Sequence, residues 1–172
     1  MPKSEVTEVT EKVIHKGGIL TKLYFDMQSP NESELQPLMA DLINNKLLKS
    51  AGVVYCFGSI DETIKLDTVY STSAIVTTLF TDIGALINAV FNFAPAGIEI
   101  LKPENEIVIK INQLQSVMLS LSQISVDYSK YILERVLKKE EYDKVMLDLK
   151  AREELGIISL IFYFYLYFLF FL

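Results

Sequence analysis

Between Ile19 and Lys102 the spacing of apolar residues switches repeatedly between the two-residue period of a strand and the three-and-four spacing of a helix. That alternation limits the fold more than any motif in the chain, because each period presents an apolar face that neighbouring elements must cover. "ILTKLYFDM" sets Ile19, Thr21, Leu23, Phe25 and Met27 against Leu20, Lys22, Tyr24 and Asp26, which predicts a half-buried strand. The next stretch, to Gly52, predicts a helix with Leu35, Leu38, Met39, Leu42, Ile43 and Leu47 on one stripe. Two capping boxes compete for its start, Ser29 to Glu32 and Ser33 to Gln36. Pro37 favours the later one, since proline is tolerated near a helix start and not deep inside. Gly52 is placed to stop the helix in the left-handed conformation.

"VVYCFGSI" is apolar on both faces, as a central strand covered on both sides would be. A polar turn, "DETIKLD", leads into "TVYSTSAIVTTLFT", whose β-branched and aromatic residues predict an antiparallel partner strand. Asp82 then caps a second helix with Ile83, Leu86, Ile87, Val90 and Phe91 on its buried side, ended by Pro95 and Gly97. "GIEILKP" predicts a further strand, extendable as a hairpin through "EIVIKI". Residues 19–102 thus spell β-α-β-β-α-β, the order of a ferredoxin-like, split βαβ sheet. The expected fold is α+β, with this antiparallel domain over residues 17–109.

The flanks read differently. Residues 1–16 are charged and threonine-rich, with Val6, Val9 and Val13 too sparse to define a period. They predict a frayed arm, with room for a short strand near Lys12 to His15, broken by Gly17 and Gly18. Residues 110–155 predict a helical hairpin or extension. In its first helix Ile111, Leu114, Met118, Leu121, Ser125, Tyr128 and Ile132 recur at alternating steps of three and four, a heptad-like seam. This seam docks on the sheet of its own chain or pairs with the same helix of a second copy. The second reading predicts a homodimer with Ile111, Leu114, Met118, Leu121, Tyr128 and Ile132 in the contact.

The tail, residues 156–172, reads "GIISLIFYFYLYFLFFL" and carries no charge. As a helix, its last sixteen residues would reach about 24 Å, short of a hydrocarbon core of about 30 Å. Two readings stand open: a membrane anchor over residues 157–172, or an out-of-frame terminus in an AT-rich gene. The second rests on the crowding of Phe and Tyr into this stretch, residues that T-rich codons supply.

Charge and composition narrow the chemistry. Sixteen basic residues face 22 acidic ones, a net −6, and no basic run is interleaved with aromatics, so nucleic acid is not an expected partner. Cys56 is the sole cysteine, which excludes an intramolecular disulfide and a multi-cysteine metal site and suits a reducing cytoplasm. His15, the sole histidine, sits in the polar arm beside Lys16 and reads as a solvated residue, so a Ser-His-Asp or Cys-His arrangement is not expected. Phosphate-binding glycine loops are missing, so no cofactor or metal is expected.

The densest polar stretch, Gly58 to Ser73, offers Asp61, Glu62, Asp67 and Tyr70 as ligand-binding groups. Asp26, at the end of a half-buried strand, joins them because burial can tune a carboxylate. The preferred reading is a cytoplasmic, non-enzymatic interaction or ligand-sensing module that self-associates through its sheet and C-terminal helices. An alternative is an enzyme in which Asp26, Asp61, Glu62 or Asp67 performs acid-base work, with a divalent cation. A second alternative is a tail-anchored membrane-associated domain.

Overall fold

The computed structural model describes residues 3–154. The protein is an α+β chain with a five-stranded antiparallel sheet and C-terminal helices. It divides into two compact units between Val117 and Met118.

In the first unit, helix α1 (Lys3–Ile14) leads through Gly17 and Gly18 into strand β1 (Ile19–Ser29). Helix α2 (Glu32–Asp41) continues as a π-helical turn, Leu42–Leu47, before β2 (Val53–Ile60). The short β3 (Ile64–Leu66) and the long β4 (Val69–Phe80) follow, then α3 (Ile83–Phe93) and β5 (Gly97–Lys102). The strand order is β2-β4-β1-β5, with β3 also paired to β4, and every pair is antiparallel.

Register explains the core. Ile19, Thr21, Leu23, Phe25 and Met27 stand opposite Phe80, Thr78, Val76, Ala74 and Thr72, which places one face of the two central strands side by side. Helix α2 and its π turn cover that face with Leu35, Met39, Ile43 and Leu47, each four residues from the last and all buried. Helix α3 adds Ala85, Leu86 and Ala89. Its alanines allow close approach: a Cβ on Gly52 would run into that of Ala85, and Gly52 holds φ at +82°. The expected left-handed stop at Gly52 is therefore also a packing requirement.

Several sequence expectations change here. The segment expected as a frayed arm is helical, because Val6, Val9, Thr10 and Val13 share a face that lies on the sheet. Helix α2 starts at neither capping box. Asn31 caps it instead, accepting from the Ser33 N–H (3.2 Å) and donating to the Glu34 carboxylate (2.8 Å). Strand β2 is an edge strand, not a central one. Its inward Cys56 and Ile60 pack on the core, while Phe57 on the other face is 56% exposed. "DETIKLD" contains β3, and "EIVIKI" forms no hairpin, only Ile107 reaching the core. On α3, Phe91 is 53% exposed, and Ala85 and Ala89 join the expected Leu86 in the buried positions.

Helix α4 (Ile111–Val136) and helix α5 (Lys139–Glu154) complete the described chain, and the division between units falls inside α4. In the second unit Leu133 and Leu137 are buried. Among the described residues no helix is long and apolar enough to cross a membrane. The tail from Gly156, with both readings attached to it, lies outside the described residues.

Candidate functional site

The two faces of the sheet have different fates. The face opposite the core is built by Leu20, Lys22, Tyr24 and Asp26 of β1 and their partners Leu79, Thr77, Ile75 and Ser73 of β4. Helix α1 covers the end near Leu20 and Leu79. Thr10 Oγ1 is 2.7 Å from the Tyr55 hydroxyl and donates to the Val6 carbonyl, and Lys102 Nζ reaches Glu11 Oε1 at 2.6 Å. That bond holds the Glu11 carboxyl below its ordinary pKa and the Lys102 ammonium above its own.

Beyond α1 this face is open. Phe57 and Ile75 are exposed, the Tyr55 and Phe57 rings stack at 5.7 Å, and Glu99 on the edge strand gathers two partners. The Tyr24 hydroxyl donates to Glu99 Oε2 (3.0 Å), and Lys22 Nζ lies 3.2 Å from the same oxygen. The phenol hydrogen bond and the ammonium together lower the Glu99 pKa, and the bond to Glu99 raises that of Tyr24. These groups are largely solvated, so their ion pair contributes little to stability.

The carboxylates singled out from sequence sit on different strands and turns of the first unit. Asp26 is exposed on the open face, opposite Ser73. Tyr70, three residues along β4, projects to the other face and lies under the Lys65 ammonium, 5.8 Å from its ring centre. Asp61 acts through its backbone: its N–H donates to Ser73 O, and its carbonyl accepts from Gln36 Nε2 (2.6 Å) and Thr72 Oγ1 (2.8 Å). Glu62 is exposed in the link to β3, and Asp67 turns the β3–β4 hairpin with φ at +33°. Among the described residues, no three His, Cys, Asp or Glu side chains gather as metal ligands would. Cys56 faces inward, where burial pushes its thiol pKa up.

Among the described residues, α4 carries a run of exposed apolar side chains. Of the seam residues, Ile111 is 77% exposed, Leu114 47%, Met118 62% and Tyr128 64%, while Leu121 and Ile132 are half-buried. Sixteen consecutive residues, Ile111 to Val126, carry no charge. An amphipathic helix of 26 residues, about 39 Å long, ordinarily buries such a stripe. Sequence spacing found this seam; it missed the Lys22–Tyr24–Glu99 cluster, whose members meet only through strand pairing.

The family model that matches spans residues 20–152, from the first strand through both C-terminal helices. The chain belongs to the MJ0538 family. No curated protein matches the sequence significantly. Among solved structures, the chain is similar to MupZ from Pseudomonas fluorescens, at 15% identity and a TM-score of 0.31. That match covers 64% of this chain and 81% of the other, and a similarity at this level carries no argument about the MJ0538 family fold or activity.

Proposed function

We propose that this MJ0538 family member is a non-enzymatic interaction module with a ferredoxin-like sheet, which self-associates by pairing α4 with α4 of a second copy. The strand order supports the fold part. Counting β3 as an extension of the β2–β4 hairpin, the order β2-β4-β1-β5 with all pairs antiparallel is what a split βαβ chain produces.

The observation that carries the association is the exposed, uncharged seam of α4. Two copies each carry a net −6, which opposes their association as wholes. The Ile111–Val126 stretch is where they approach without charge repulsion, and there apolar burial is unopposed. Ser125, at a seam position, leaves a small polar gap of the kind that fixes register.

Sedimentation equilibrium of the full chain over a hundredfold concentration range tests this. The reading requires a mass that rises toward twice the chain mass, and a Leu114→Glu/Met118→Glu variant that stays at the single-chain mass. A concentration-independent single-chain mass for the native sequence would overturn it.

A further inference from the structure

Within the first unit, the turn from α1 into β1 and the segment between β5 and α4 enclose a cleft of about 560 Å³, a size suited to a small molecule. Two lysines and the chain's sole histidine line it: His15 and Lys16 from the turn, and Lys110 from the start of α4. Gln113 adds a polar group whose Oε1 accepts from the Lys110 N–H at 3.1 Å, leaving its amide NH2 as a donor. One carboxylate, Glu106, opposes them, and Ile14 and Ile107 supply apolar wall.

We propose that this cleft binds a small organic anion, a phosphate or carboxylate head on a compact apolar body. Charge selects the head: in a chain of net −6, this concavity collects cationic and donor groups against one carboxylate. The cleft reaches α4 at Gln113, in a first turn that holds no acidic residue and whose Gln113 and Leu114 N–H groups are already taken by Asn112 Oδ1 and the Lys110 carbonyl. The opposing carbonyl end of α1 is muted, because the Val13 and Ile14 carbonyls accept from the N–H groups of Lys16, Gly17 and Gly18.

The turn geometry keeps the cleft open. Gly18 has no room for a side chain, since a Cβ would meet the Phe80 carbonyl at 2.7 Å and the Val13 carbonyl at 2.9 Å. Gly17 holds φ at +95° and borders empty space. This pair therefore turns the chain sharply while leaving the volume beside it unfilled. The proposal goes beyond the α4 pairing and stands on different residues.

NMR titration of the full chain tests it, because a single histidine gives one imidazole Hε1 signal. Phenyl phosphate, benzoate and neutral phenol are the probes, followed at His15 and at the Gly17 and Gly18 amides. Saturable shifts are expected with an anionic probe and none with phenol. A response to both anions assigns recognition to charge, and a response to phenyl phosphate alone narrows the ligand to phosphomonoesters; either supports the site. Lys16→Gln and Lys110→Gln, both changes at exposed residues, are each expected to weaken binding roughly tenfold. Equal binding of phenol, unchanged affinity in both variants, or no saturable shift overturns the proposal. If a variant fails to fold, the native chain's affinity must fall as sodium chloride rises from 0.05 to 0.5 M on the order of a Debye-screening change, and a salt-independent affinity overturns it. A monomeric mass in sedimentation would leave these outcomes untouched, so the two readings fail separately.

Discussion

Thr10 Oγ1 and the Tyr55 hydroxyl lie 2.7 Å apart, 45 residues distant in sequence, and their bond ties α1 to the far edge strand across the sheet. Thr10 is 6% exposed, so the pair is sheltered from water where it counts most. Tyr55→Phe is expected to lower stability by about 0.5–1.5 kcal/mol, read as a shift in the urea midpoint at constant slope. Thr10→Val costs more, because it also removes the bond to the Val6 carbonyl and leaves the Tyr55 hydroxyl without it. Hydrogen exchange should show α1 amides losing protection first in both variants.

Gly17 and Gly52 both hold positive φ, yet they should respond differently to alanine. At Gly17 nothing lies near the added methyl, so Gly17→Ala costs only the left-handed strain, about 1–2 kcal/mol. At Gly52 the methyl meets Ala85 and lies 2.9 Å from Thr81 Oγ1, so α3 must move off the sheet as well. Gly52→Ala is expected to be the more destabilising change by about 1 kcal/mol or more. Equal losses by chemical denaturation would contradict the close packing of α3.

The surface ion pairs give stability a defined pH response. Glu11 and Glu99 have lowered pKa values, through hydrogen bonds from Lys102 and from Tyr24 with Lys22 respectively. Their contribution is present above the ordinary carboxylate range and is lost as pH falls through their lowered folded values. Lys22, Lys102 and Tyr24 have raised values, so their share is present below their ordinary range and is lost as pH rises through the raised values. Urea midpoints should decline on both sides of neutrality, with the acid limb flattened in Glu11→Gln and Glu99→Gln. High salt should flatten it too, since the pairs are exposed.

Cys56 offers a reactivity test. Its Sγ faces the Ile43 carbonyl at 3.9 Å, and burial raises its pKa. Modification by a disulfide reagent at pH 8 should be slower than for the denatured chain by at least about tenfold, because less thiolate forms and access is restricted. Rates equal in folded and denatured protein would mean that β2 opens freely at the sheet edge.

Seam position 125 reports on α4 pairing in the opposite sense to a charge. Ser125→Leu fills the polar gap, and burial of its apolar surface should tighten self-association by about tenfold or more. Sedimentation of the variant beside the native chain measures this directly. A weaker association would show that Ser125 does not face a second copy.

Local pattern was enough for much of the fold. Two-residue alternation marked β1, β-branched and aromatic content marked β4, the Asp82 cap was visible before α3, and three-and-four spacing marked α2, α3 and α4. These depend on short-range geometry, which each stretch carries by itself. Even the sparse valines of α1 became helical only because a sheet face lay under them.

What the sequence determined by itself was the order of the main strands and helices after α1, without the short β3, an acidic chain with one thiol and one imidazole, and an apolar seam on a long helix. Tertiary structure alone decided that "VVYCFGSI" sits at an edge, that Lys22, Tyr24 and Glu99 meet, and that His15 shares a cleft with Lys110. Pairing between strands and packing between distant segments place those groups, and neither is encoded in the spacing of any one segment. Side chains many residues apart become neighbours only when the whole sheet closes its register.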